Sequence, residues 1–84
     1  MEITPEQCRA ARSLIGLLQG ELSEATGISV VSISAFEKGG VMRKSNKAKI
    51  REALEAYGVA FIEDGENSKN GGIGVRMVDV GSET

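Results

Sequence analysis

The tightest constraint on this chain lies in residues 19–39, QGELSEATGISVVSISAFEKG, where two short apolar repeats flank one glycine. Leu22 and Ala25 are three residues apart, as are Ile33 and Phe36, the spacing that lines one side of a helix. Gly27 stands between the two pairs. A glycine can take the left-handed backbone that closes one helix and redirects the chain. Ser29, two residues on, can then cap the next helix by accepting a bond from a free backbone N–H. Together with Ile28, these four residues are expected to form the apolar face of two short helices meeting at a tight turn.

The joint order of Gln19, Leu22, Ser23, Gly27, Ile28, Ser29, Ile33, Ser34, Phe36, Glu37 and Gly39 resembles the helix-turn-helix of the Xre family, DNA-binding domains built like phage lambda repressor and Cro. The likeness covers about residues 5–57. It implies a mainly α, lambda-repressor-like bundle of four to five short helices. A C-terminal β-hairpin or extended arm is expected to follow, dividing the chain into a DNA-binding domain over 1–58 and an arm over 59–84. By the same resemblance, Gln19 opens helix 2 and reaches a phosphate, and the third helix, residues 30–38, is the recognition helix. Helix N-termini suit the first role, since their unpaired N–H groups and positive dipole end attract an anion. The alternative for Gln19 is a polar surface residue at a helix start.

With 84 residues, the chain has room for one domain and a core that is small but feasible without metal or disulfide. Its single cysteine, Cys8, cannot form an internal bridge, and with no histidine the usual zinc ligand sets are missing. No metal or cofactor is expected. No apolar run approaches the roughly 20 residues that span a bilayer, and the opening MEITPEQ lacks the order of a signal peptide. The expectation is a soluble, cytoplasmic, nucleoid-associated protein.

A net charge of −2 suits a DNA partner poorly until it is divided along the chain. Residues 1–37 carry −3, residues 38–51 carry +6 with no acidic group, and residues 52–84 carry −5. Lys38, Arg43, Lys44, Lys47, Lys49 and Arg51 therefore follow directly on the third helix, within reach of a polyanion docked there. The alternative is an ordinary solvated face.

Taken in order, Thr4, Pro5 and Gln7 read as a capped helix start, with Gln7 completing a capping box. The first helix is expected to end near Ile15, with Gly16 as the stop. Cys8, Ala11, Leu14, Ile15 and Leu18 would form its apolar stripe, leaving Arg9, Arg12 and Ser13 in water. Helix 2 starts poorly: Leu18 stands where the resemblance would put a capping Ser or Thr, and Gly20 costs about 1 kcal/mol relative to Ala inside a helix.

Helix 3 is expected to offer Val30, Val31, Ser32, Ser34 and Ala35 to base edges, with Ser29 at its start. Between Ser29 and Glu37 there is no Arg, Lys, Asn or Gln, the residues that make paired hydrogen bonds to bases. Thymine methyl contact from the valines and adaptable serine hydroxyls remain, implying a weak or A·T-leaning preference. Alternatively, the valines turn inward or meet a partner. Gly39 and Gly40 end the helix, and in the loop that follows Arg43 and Lys44 are the expected phosphate contacts, with Lys38 beside them.

Ser45 or Asn46 is expected to cap helix 4, which carries Ile50, Ala53, Leu54 and Tyr57 to the stop at Gly58, with Lys47 at the rim. Tyr57 reads as a core or interface aromatic. Residues 59–62 and 75–80 then read as strands around a polar segment, 64–72. An isolated hairpin is marginal in water and its edges invite pairing, so it is expected to pack on the bundle and to help form a homodimer, the alternative being a mobile tail. Residues 81–84 are expected to be disordered.

These features point to a DNA-binding transcriptional regulator, most simply a repressor. The competing class is a protein-interaction module on the same fold, an antitoxin or anti-repressor, supported by Val30, Val31, Leu18 and the strand-forming tail. Catalysis finds no support. The carboxylates lie on polar helix faces, and the glycines at 71–74 lack the Lys-Ser/Thr of a phosphate loop.

Overall fold

The computed structural model describes residues 2–62 and 74–77. The expectations for 64–72, 78–80 and 81–84 lie outside these residues. Four helices, α1 (Pro5–Ile15), α2 (Gln19–Thr26), α3 (Val30–Glu37) and α4 (Lys44–Ala56), precede the strands β1 (Val59–Ile62) and β2 (Gly74–Met77). The strands pair antiparallel, with Val59 opposite Met77 and Ile62 opposite Gly74.

Local chemistry sets most boundaries. Thr4 caps α1 by accepting from the Gln7 N–H, and the Gln7 carbonyl oxygen accepts from the Thr4 N–H at 3.1 Å, completing the box. Gly16 and Gly27 close α1 and α2 in the left-handed conformation, where a Cβ would be strained. Ser29 caps α3 through the Ser32 N–H. At its other end, Gly40 N–H donates to the Ala35 carbonyl at 2.8 Å, an approach that leaves no room for a side chain. Only α2 and α4 start without a side-chain cap among these helices. At α2 the Glu21 carboxylate accepts from the Leu18 N–H, but a leucine has no oxygen with which to reciprocate.

The core is built from Cys8 and Ala11 of α1, Leu22 of α2, Ile33 and Phe36 of α3, and Ile50 and Leu54 of α4, joined by Ile3, Leu17, Ile28, Met42 and Val59 from the connections and β1. Burying each of the larger side chains contributes roughly 1.5–3 kcal/mol relative to exposure. The hairpin lies against α1. The buried Gln7 amide donates to the carbonyls of Ile62 and Gly74, one on each strand, so the residue that closes the capping box also pins the sheet.

Several expectations require correction. Leu17, not Leu18, enters the core, because the left-handed Gly16 breaks the helical phase and its successor turns inward. Leu14 is half exposed and Leu18 largely so, while Ala25 lies in solvent rather than in the apolar face. Helix α4 begins at Lys44 with Arg43 in extended conformation at its cap, so Ser45 and Asn46 fall in the first turn instead of preceding it. Tyr57 ends α4 at the surface and is not a core residue. Strand β2 begins at Gly74, one residue before the expected start.

Candidate nucleic-acid interface

Helix α3 has only eight residues, and its two sides carry different burdens. Ile33 and Phe36 face the core with Glu37, whose side chain is only 4% exposed. A buried carboxylate is costly unless its lone pairs are filled. Here they are filled from three directions. The Arg12 guanidinium grips it in a fork, with Nε at 2.7 Å from Oε2 and Nη2 at 2.6 Å from Oε1. The Cys8 thiol donates to Oε2 at 3.1 Å and the Gln19 amide to Oε1 at 3.0 Å. Arg9 donates to the Glu37 backbone carbonyl. One carboxylate thus ties α1, the first residue of α2 and the end of α3 together.

Burial by itself would push Glu37 up. The hydrogen bonds from Arg12, Cys8 and Gln19 together outweigh it and hold the group below the usual carboxylate range. Burial, reinforced by the adjacent Glu37 charge, drives the Cys8 thiol far above its ordinary value, so it stays protonated. Arg12 is not the solvated residue expected of its position, because it is the counterion of this carboxylate.

The outer side of α3 inverts this pattern. Val31 is 78% exposed, Val30 is 42% exposed, and Ala35 and Ser32 also lie in solvent, with Ser34 half-buried. The valines therefore do not turn inward. Val31 and Ala35, one turn apart, form a ridge between two open hollows. One, of about 450 Å³, is lined by Gln19, Val30, Val31, Ser34, Ala35 and Lys38. The other, of about 430 Å³, is lined by Val31, Ser32, Ala35, Val41, Met42, Arg43 and Asn46. Each hollow holds a cation and no carboxylate among the described residues, whereas three hollows elsewhere each contain glutamate.

The six basic residues of 38–51 do not gather into one patch beside α3. Lys38 and Arg43 flank its ridge on opposite sides. Lys47 pairs with Glu2 at 3.1 Å, and the same carboxylate lies 3.7 Å from Lys44. Arg51 pairs with Glu55 and lies over the Phe61 ring, and Lys49 sits beside Ala25, Thr26 and Glu52. The sequence run is contiguous, but at about 100° per residue α4 puts Lys44, Lys47 and Arg51 on one face, beside Glu2, Glu52 and Glu55, and turns Lys49 to another. Ser29 is committed to its cap, and Gln19 is anchored by Glu37. Val41, fully exposed, and Asn46 line the second hollow in addition to the residues expected at the interface. A loop has no periodicity from which the outward turn of Val41 could be read, and Asn46 reads in the sequence, with Ser45, as one of two candidate caps.

A family model described as helix-turn-helix matches residues 9–63, from α1 through β1. No curated protein matches the chain. Among the described residues, no helix is long and apolar enough to cross a membrane.

Proposed function

Starting from the fact that the chain belongs to the helix-turn-helix family, in keeping with its Xre-like residues, we propose that it is a transcriptional repressor that lays the outer side of α3 in the major groove of double-stranded DNA. The observation that carries this reading is the pairing of an outward ridge with a cation on each flank. Lys38 and Arg43 have no acidic partner among the described residues, and the groove of B-DNA is wide enough to take a helix. Phosphates on either side of the groove would meet Lys38 with Gln19 on one flank and Arg43 on the other. Lys44 contributes less, since Glu2 already offsets its charge.

The protein acts as a homodimer, with the hairpin contributing to the contact, in the cytoplasm at the nucleoid. Two recognition helices then sit about 34 Å apart and read an inverted repeat with half-sites one helical turn apart. The exposed Leu18 and Val31 support a second reading, a protein-interaction module on the same fold.

A salt titration separates the two. For Lys38→Ala/Arg43→Ala, the slope of log affinity against log salt should flatten by about 2, on any DNA sequence, since each phosphate contact contributes roughly 0.9. Unchanged affinity and slope would overturn the proposed docking. Failure of the unaltered protein to bind DNA at low salt, together with a co-purifying protein, would favour the interaction module.

A further inference from the structure

The groups available on the outer side of α3 are almost all methyls. The Ser29 hydroxyl accepts the Ser32 N–H at 3.1 Å and donates to the Ser32 hydroxyl at 3.0 Å, so Ser29 is engaged at the cap and the exposed Ser32 keeps a single O–H to donate, too few for a paired bond to a base. Ser34 is half-buried. The donors that could form paired bonds to a base, Gln19, Lys38, Arg43 and Asn46, line the two hollows and not the ridge between them. On the ridge stand Val31 and Ala35, with Val30 at one edge.

In the major groove, guanine presents two acceptors, adenine an acceptor and a donor, and cytosine a donor. An apolar ridge pressed on any of these strips their water and returns no hydrogen bond, which is a penalty. Thymine alone among the four natural bases presents a methyl group there, on C5. Cytosine methylated at C5 carries the same group at the same ring position. Contact with a methyl is therefore favourable where contact with the other edges is not.

Resting on the DNA-docking reading above, we infer that the Val31–Ala35 ridge is a reader of pyrimidine C5-methyl groups, responding to thymine and 5-methylcytosine alike. The ligand is a chemical group and not a base identity. Each methyl covered should strengthen binding about fourfold, the worth of one buried carbon. Methylation of cytosines would then create binding sites in sequences that otherwise lack thymine at the contacted positions.

The probe is one pool of random 30-base-pair duplexes copied in three forms: with thymine and cytosine, with uracil replacing thymine, and with 5-methylcytosine replacing cytosine. Competition in a gel shift at low salt should rank the 5-methylcytosine pool first, the ordinary pool second and the uracil pool last, each step about 1.4- to 1.8-fold per contacted position, because only some of the random sequences place a methyl there. Val31→Ser, at an exposed position, should compress that ranking toward equal binding of the three pools. Equal binding of all three pools would overturn the methyl reading and leave the DNA-docking proposal standing. A ranking that Val31→Ser does not compress would also overturn it, because the preference would then reside in duplex shape. Binding to none of the pools would overturn both.

Discussion

The inner and outer sides of α3 are separated by no more than the width of a helix, yet they handle polarity in opposite ways. Inside, a charged carboxylate is buried and fully engaged, held by Arg12, Cys8 and Gln19. Outside, Val31 and Ala35 are left in water. Globular proteins usually do the reverse. The difference teaches where the fold is held and where it is available. The buried charge has every partner it can take and serves to fix α1, α2 and α3 at one geometry. The exposed methyls have none, and a short helix keeps them outward only because its other side is committed.

That contrast can be broken at its strong end. Arg12→Ala leaves Glu37 buried without its counterion, and removal of one member of such a pair costs about 3–5 kcal/mol. In a domain of this size that is most of the expected stability, so urea denaturation should show a large drop in midpoint or a chain unfolded from the outset. A change under about 1 kcal/mol would mean that the carboxylate is better hydrated than its burial implies.

An acid titration probes the same contact less severely. Because the folded protein holds Glu37 below its ordinary value, the group contributes stability that is fully present above the unfolded-chain value and is lost as pH falls through the folded one. The urea midpoint should therefore decline as pH falls below the ordinary carboxylate value of 4.5. Glu37→Gln should start lower and decline less over that range. Glu2, exposed and held down first by its hydrogen bond to Lys47, shifts in the same direction, so some slope should survive in the variant.

The weakest perturbation belongs to the outer side. Val31→Ser removes little buried surface and should change stability by no more than about 0.5 kcal/mol in the same denaturation assay. A larger loss would show that the ridge supports the fold and is not reserved for contact, which would erase the difference between the two sides.

Much of the architecture was legible in the chain because local rules and packing agree. Thr4, Pro5 and Gln7 announce α1, Gly27 and Ser29 separate α2 from α3, and the apolar spacing of Ile33 and Phe36 marks the inward side. Reading failed where one local feature reset another. The turn at Gly16 exchanged the roles of Leu17 and Leu18, and the cap moved to Arg43 although two better capping residues follow it. Of the candidate interface, the outward ridge was anticipated. The diversion of Lys44 and Lys47 to Glu2 was not, since that pairing joins residues more than forty positions apart.

By itself, the sequence determined the helix boundaries set by glycines and caps, the inward position of Leu22, Ile28, Ile33 and Phe36, and the lack of amide or guanidinium groups within α3. These depend on residues within one or two turns of each other, where backbone sterics and periodicity act. Only the tertiary structure decided that Glu37 would be the buried junction of three helices, that Gln7 would pin a hairpin more than fifty residues away, and that Lys38 and Arg43 would flank α3 while Lys44 and Lys47 face Glu2. Each of those outcomes requires groups distant in the chain to meet, and the free energy that selects them exists only after the core has brought the helices together.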